Sequence, residues 1–242
     1  MIKNMKISNK IYAFLIVLIC FLNSLKAQIK QDTVYTYDDQ KEIGQVDKNG
    51  NRIGEWKFYY ETGELLQIGS YKNGDPIGEW KTYYTTGQLC KIGKFIDSKA
   101  YGEWKEYYQT GGLYEIGVYD GEDRIGEFKW YHENGKLKMI GSYEKGKDLG
   151  VWKVFYENGQ LRNIGEQQDN KRVGEWKYYY ENGQIEKIGN HDVKTGVMIG
   201  EWKMYHNNGA LGAQGNLDEN GDPVGEWKYY DENGKLTHTK KY

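Results

Sequence analysis

One motif decides the fold of this chain, and it reads Gly-Glu-Trp-Lys-Tyr-Tyr-Tyr-Glu-Asn-Gly-Gln-Ile-Glu-Lys-Ile-Gly at residues 174–189. Eight variants of the motif follow one another, and the intervals between their first glycines are 24, 24, 24, 24, 24, 26 and 25 residues. A period in this range indicates a repeat architecture, in which each unit buries apolar surface against its neighbours. The first glycines are Gly54, Gly78, Gly102, Gly126, Gly150, Gly174, Gly200 and Gly225.

Within each repeat, two segments rich in aromatic and aliphatic residues flank a dipeptide that ends in glycine, Asn-Gly in five repeats and Thr-Gly in three. Asn-Gly accepts positive φ at both central positions of a turn, so it predicts a β-hairpin with a two-residue type I′ turn. Length changes, such as the one at residues 191–199, fall only between hairpins, as expected of surface loops. The predicted fold is all-β, an elongated single-sheet antiparallel meander or β-hairpin solenoid of about eight 24-residue repeats.

A column of tryptophans is predicted to serve the fold. Alternate side chains of a strand point to opposite faces, so the tryptophan of every repeat lies on the same face. A glycine recurs in the second strand, as at Gly69 and Gly93, and there it lets a ring from the adjacent strand lie flat on bare backbone. The column comprises Trp56, Trp80, Trp104, Trp152, Trp176, Trp202 and Trp227, with Phe128 in the remaining repeat.

The other face of the sheet is predicted to carry charge. Lysine follows the aromatic residue in all eight repeats, and glutamate precedes it in seven, with Val151 as the exception. These columns predict solvated cross-strand Glu–Lys pairs. A lipid-binding basic strip is the alternative.

The ends of the chain differ from the repeats. Residues 1–27 combine a basic start, a short apolar run and a small residue, Ala27, which predicts a signal peptide cut near Ala27 and Gln28, hence an exported protein. An uncleaved anchor and lipidation at Cys20 are the alternatives. Residues 28–42 are predicted to be a polar, irregular segment, and residues 43–242 the repeat domain.

The charge balance limits the partners. Four of the 33 basic residues and none of the 35 acidic ones fall in residues 1–27, so the remainder has a formal charge of −6. This balance argues against nucleic acid and against an anionic membrane as partners.

No catalytic or metal-binding pattern is present in the sequence. Its four histidines, His132, His191, His206 and His238, have no metal-ligand spacing with one another or with cysteine. Cys90 stands at a repeat position where the other repeats have unrelated residues, which favours a thiol without a special role. Phosphate-binding and nucleophile motifs are missing from the sequence as well. The sequence therefore predicts neither enzymatic activity nor a cofactor.

Binding specificity is expected where the repeats differ. We call the residues two positions after each motif aromatic the variable column, which reads Phe58, Thr82, Glu106, Trp130, Val154, Tyr178, Met204 and Tyr229. Large apolar residues among polar ones on a repeat face suit a protein partner. Packing variation is the alternative explanation. The candidate partner-binding residues are Trp130, Tyr178, Met204 and Tyr229.

The motif resembles the variant MORN repeat, on the strength of Gly-Glu-Trp-Lys-Tyr-Tyr-Tyr-Glu-Asn-Gly-Gln at residues 174–184 followed by Ile-Gly, and the resemblance covers residues 43–242. Bacterial chains built from this variant are often classed with an antitoxin family. The resemblance implies a hairpin scaffold that binds protein or associates with membranes, and it carries over no catalytic residue. The predicted function is an exported protein-binding scaffold, with an antitoxin-like role included. A glycan or cell-wall binding module that uses exposed aromatic stripes is the alternative.

Overall fold

The computed structural model describes residues 33–37 and 40–242 and consists there of strands, without a helix. The predicted signal peptide lies outside the described residues. No helix in the described part is long and apolar enough to cross a membrane. The strands are β1 Thr33–Tyr37, β2 Gln40–Val46, β3 Arg52–Tyr59, β4 Leu65–Lys72, β5 Asp75–Tyr83, β6 Leu89–Ile96, β7 Lys99–Tyr107, β8 Leu113–Gly121, β9 Asp123–Tyr131, β10 Leu137–Glu144, β11 Lys147–Phe155, β12 Leu161–Gln168, β13 Lys171–Tyr179, β14 Ile185–His191, β15 Met198–Tyr205, β16 Leu211–Leu217, β17 Pro223–Tyr230 and β18 Leu236–Lys241.

The described chain divides into two compact units. The first runs to Gly87 and includes Phe95–Ser98, and the second comprises Gln88–Lys94 and Lys99–Tyr242. In the first unit β1 to β5 pair consecutively and antiparallel. In the second, β7 to β18 do the same. The predicted all-β antiparallel repeat of hairpins is confirmed.

The N-terminal segment is more regular than expected. Residues 28–42 were predicted to be irregular, but β1 lies within them and pairs with β2. Gly44 in β2 packs under Trp56, as the second-strand glycines of the later repeats do under theirs. The second strand of the first hairpin thus offers its glycine to the next ring as the later hairpins do, although its sequence lacks the motif.

The turn inside each repeat is not the predicted type I′ turn. In the fifth loop of this kind, Gly159 N–H bonds Tyr156 O at 2.9 Å and Tyr156 N–H bonds Gln160 O at 2.9 Å. Positive φ occurs at Gly159, at 92°, but not at Asn158. The pattern is a three-residue loop, in which a type I turn precedes a glycine bulge. Asn158 contributes its side chain instead, since its Oδ1 accepts the Gln160 N–H at 2.8 Å.

The two-residue turns lie between the repeats. Asn73 and Gly74 have φ of 54° and 90°, and Lys145 and Gly146 have φ of 51° and 76°. Positive φ at both central residues defines the type I′ turn. The predicted turn type therefore exists in this chain, but at the connection that the sequence analysis assigned to ordinary loops.

The tryptophan column packs as predicted, each ring against the second-strand glycine of the preceding hairpin. A Cβ added to Gly165 would lie 2.2 Å from the Trp176 ring, and one added to Gly93 only 1.9 Å from Trp104. No side chain larger than hydrogen fits there. The same contact occurs in the pairs Gly44–Trp56, Gly69–Trp80, Gly117–Phe128, Gly141–Trp152, Gly189–Trp202 and Gly215–Trp227.

Candidate functional site

Within each of the two units, the tryptophan face is an aromatic core rather than an open stripe. Trp176 and Trp202 are almost fully buried, at 1% and 0% exposure. Rings of the second strands stand edge-on between consecutive tryptophans. Tyr71, for example, lies 6.1 Å from Trp56 and 5.1 Å from Trp80, at interplanar angles of 80° and 88°. Edge-to-face contacts of this kind are favourable for aromatic quadrupoles, so the repeated aromatic residues stabilise the fold.

An arginine covers the aromatic core in three repeats, at Arg52, Arg124 and Arg172. The Arg124 guanidinium lies 4.9 Å from the Phe128 ring centre and donates to the hydroxyls of Tyr119 and Tyr143, each at 3.2 Å. Burial opposes its charge, but these hydrogen bonds and the Glu115 carboxylate raise the pKa of Arg124 above its ordinary value. The arginine therefore stays charged and is fixed in place.

Trp130 and Tyr178, two of the four candidate partner-binding residues, lie in the core. They are 5% and 8% exposed. The Trp130 indole N–H donates to the Glu115 carboxylate at 2.5 Å, and this carboxylate is itself buried and also bound by Arg124. Both aromatic residues thus contribute mainly packing, which was the alternative explanation for the variable column.

The other two candidates are accessible and lie near the C-terminal end of the same face. Met204 is 39% exposed, and Tyr229 is half-buried. Strand pairing places Ala213 between them and Lys187 on the other side of Met204. The Tyr229 ring stacks on His238 with the centroids 4.6 Å apart. Lys187, Met204, Tyr229 and His238 are accessible, and Ala213 is buried between Met204 and Tyr229. We call these five residues the C-terminal strip.

His191 is a core residue that the sequence analysis did not single out. It is 7% exposed and stands edge-on to Trp202 at 5.6 Å, in the column that Tyr71 and Tyr143 occupy. Its Nδ1 lies 2.8 Å from Gly196 O and its Nε2 lies 3.2 Å from the Tyr178 hydroxyl. Aligning the repeats on their second strands would have placed His191 among these aromatic residues.

The surroundings of His191 disfavour its protonated form. Burial is the main cause that lowers its pKa, a hydrogen bond to Gly196 opposes the shift, and the positive charges of Arg172 and Lys187 lower the pKa further. Because a carbonyl only accepts, Nδ1 carries the proton and Nε2 accepts from Tyr178, whose hydroxyl in turn accepts from Arg172 Nη1 at 2.9 Å.

Two other histidines link neighbouring repeats. A tyrosine at the end of the first strand donates to a backbone carbonyl of the next repeat, as Tyr156 does to Tyr179 O at 2.7 Å. His132 and His206 stand at the equivalent position and reach Phe155 O and Tyr230 O through Nε2, at 3.0 and 2.9 Å. These two histidines thus take the place of the linking tyrosine and make an equivalent contact with the next repeat.

The charged face differs from the prediction in its geometry. The Glu–Lys pairs form within one strand, between residues two positions apart, rather than across strands. Glu127 and Lys129 are 2.8 Å apart, and Glu103 and Lys105 are 2.7 Å apart. Residues i and i+2 of a strand share a face, whereas the residue directly across from the lysine is not acidic, as with Ile116 opposite Lys129 and Gln214 opposite Lys228.

The described residues hold no group of His, Cys, Asp or Glu side chains that could bind a metal ion. Cys90 is a free, half-buried thiol.

The chain belongs to the MORN repeat variant family. The family's sequence profile matches seven segments that together make up more than half of the chain: residues 52–73, 76–97, 100–120, 124–145, 149–169, 172–192 and 223–242. The repeat that begins at Gly200 falls outside the profile match, yet its Trp202 packs on Gly189 like the other motif tryptophans.

Comparison with curated proteins found no match. Among solved structures, the chain is similar to those described as TcdB2-TccC3-TEV, at 11% identity and a TM-score of 0.19, and TcdB2-TccC3-Cdc42, at 12% and 0.18. The matches cover 79% and 84% of this chain but only 13% and 15% of the solved chains. Similarity at this level carries no argument about function.

Proposed function

We propose that this protein is a non-enzymatic repeat scaffold that binds another protein through the C-terminal strip. The observation that carries the proposal is the division of the tryptophan face into two kinds of residue. The repeated aromatic residues are buried against glycine. The residues of the strip instead occupy repeat positions whose identity changes from one repeat to the next, and Met204 among them is exposed. A surface that is unique within a repetitive molecule can distinguish one partner from another.

The chemistry of the strip suits a partner with an apolar anchor. Met204 offers a flexible, polarisable side chain that adapts to an apolar surface. Tyr229 offers a ring held by its stack on His238 and by a 3.1 Å hydrogen bond between its hydroxyl and that of Tyr242. A ring that is already ordered loses little entropy on binding. Lys187, at the other end, lies 4.7 Å from the centre of the Tyr178 ring and presents a positive charge.

A capture experiment tests the proposal. The chain is immobilised and exposed to envelope and culture extracts of the producing cells, and the bound proteins are identified by mass spectrometry. The matched variant carries M204E and Y229A. We expect one protein to be enriched on the unchanged chain and lost from the variant, while both chains give the same circular dichroism spectrum. Equal capture by the two chains would contradict the assignment to the strip.

An antitoxin-like role is the narrower form of the proposal, supported only by the resemblance between this repeat and chains of that class. The alternative function considered from the sequence is glycan binding, which needs exposed aromatic rings such as tryptophans. The buried tryptophan column does not favour it. An exported location is likewise proposed from residues 1–27 alone.

A further inference from the structure

One repeat lacks the in-strand Glu–Lys pair and presents an apolar side chain instead. Val151 stands where the other seven repeats have glutamate, and it is 58% exposed. Lys153, two residues on, is exposed and has no ion-pair partner among the described residues. Leu149, in the same strand, is 44% exposed. The charged face is therefore interrupted at β11.

A carboxylate without a partner lies beside this interruption. Glu166 of β12 pairs with Val151 across the strands, and its side chain makes neither an ion pair nor a hydrogen bond within the part of the chain that the structure describes. The equivalent residues of the other repeats are not acidic: Ser70, Lys94, Val118, Ser142, Asn190, Asn216 and Lys241. One repeat thus combines an exposed valine, an unpaired cation and an unpaired anion.

A groove lies next to the exposed valine. It has a volume of about 420 Å³ and is lined by Val151, Ile164, Gly165, Glu166, Glu175 and Lys177. Glu175 and Lys177 form an ion pair with each other at 3.1 Å. The carboxylate of Glu166 is therefore the charged group of the groove that is available to bind a cation from outside. We call this groove together with Leu149 and Lys153 the β11 patch.

The β11 patch is complementary to itself. A two-fold axis requires that a residue i of one copy contact a residue j of the other, and that j contact i. Val151 can enter the groove of a second copy, while Lys153 faces that copy's Glu166. The arrangement is repeated on the other side of the axis. We propose that the β11 patch is a homodimer contact in which a second copy of this chain provides the missing Glu–Lys pairs.

Sedimentation velocity over a concentration series of the full chain tests the proposal. We expect reversible dimerisation, and V151E, which restores the residue of the other repeats, should raise the dissociation constant by about 10-fold or more. K153E and E166K should each weaken association similarly, because like charges then face each other. The double variant K153E/E166K should recover association to within about 3-fold of the unchanged chain.

E201V is the matched control, because it creates an exposed valine beside a lysine in a repeat whose cross-strand residue is Asn216 rather than an acid. It should leave the dissociation constant unchanged. Any contribution of the N-terminal residues is common to all variants. Three results would each overturn the proposal: a chain that stays monomeric at every concentration, a V151E variant that dimerises normally, or a charge-reversed double variant that does not recover.

Discussion

The contact between one tryptophan and one glycine is the smallest unit of this fold. It occurs eight times, with phenylalanine in one position, and it explains why both residues recur in the motif. The Trp176 ring, for example, is buried on one side by backbone that carries no side chain, and it also contacts Tyr178 of its own strand and His191 of the adjacent strand. A methyl group under the ring would have to displace a fully packed side chain.

Substituting alanine for Gly165 should therefore destabilise the protein. We expect the free energy of unfolding to fall by roughly 2–3 kcal/mol, measured by chemical denaturation. Gly112→Ala is the matched control, since an added Cβ there would have its nearest contact at an ordinary 3.7 Å, with Glu133 O. That change should be neutral or slightly stabilising. Equal effects of the two substitutions would show that the ring contact is unimportant.

Protonation of His191 should make stability depend on pH. Its folded-state pKa lies below 6.5, so the unfolded chain binds the proton first as the pH falls. The stabilisation is complete above the unfolded pKa and is lost between that pH and the lower folded pKa, with a slope of up to about 1.4 kcal/mol per pH unit. His191→Phe keeps an aromatic ring like that of Phe95 in the same column.

The measurement is the free energy of unfolding at about pH 7.5 and at about pH 5.5, roughly one unit on either side of the unperturbed histidine pKa. The unchanged chain should lose more stability than His191→Phe does over this interval. The same loss in both chains would mean that another group titrates.

At the scale of the element, each hairpin is joined to the next through both its strand ladder and its turn. The hydroxyl of Tyr156 bonds Tyr179 O, and the side-chain amide of Asn158 bonds Glu181 O at 2.9 Å. These bonds run from one turn to the equivalent turn of the next repeat. They fix the turns relative to each other where the strand ladder has ended.

Tyr156→Phe should lower the free energy of unfolding by about 1 kcal/mol, because the Tyr179 carbonyl loses its hydrogen-bond donor. Tyr179→Phe is the control, since the Tyr179 hydroxyl makes no hydrogen bond within the described chain. It should change stability by less than about 0.5 kcal/mol. If thermal unfolding showed a larger loss of stability in Tyr179→Phe than in Tyr156→Phe, the turn contacts would not stabilise the protein as described.

Much of this element could be predicted from the sequence. The period, the glycine dipeptides and the alternation of Glu-Trp-Lys indicate hairpins, and the recurring Gly69-type glycine predicts the ring contact. The turn type could not be assigned because Asn-Gly fits both a type I′ turn and a type I turn with a glycine bulge. Nor could sequence show that Trp130 is buried, since this depends on its contacts with Arg124 of the same strand and with Glu115 of β8.

At the scale of the whole molecule, the repeats are equivalent enough that one should be removable. Deleting residues 150–173 joins Leu149 to Gly174 and brings Trp176 over Gly141 in place of Trp152. Because each unit contacts mainly its neighbours, the stability of a repeat protein is roughly a sum over units. The shortened chain should therefore fold, with a cooperative thermal transition at a lower temperature.

Deleting residues 150–161, half of a repeat, is the control. It removes most of β11, so that β10 would be followed directly by β12, although each of these is the second strand of its hairpin. The deletion should therefore abolish the cooperative transition. The full-repeat deletion also removes Val151 and Glu166, so its sedimentation should be that of a monomer. A misfolded product of the 24-residue deletion would contradict the equivalence of the repeats.

The central claim is that repeated residues build this protein and that the variable C-terminal strip gives it specificity. Titration of the captured partner against two variants tests this most directly. M204E/Y229A changes the strip, and K105E/K129E changes two half-buried lysines of the repeated charged face. We predict that the first variant weakens binding by about 100-fold or more while the second binds like the unchanged chain. Unchanged binding by the first variant, with loss in the second, would contradict the account.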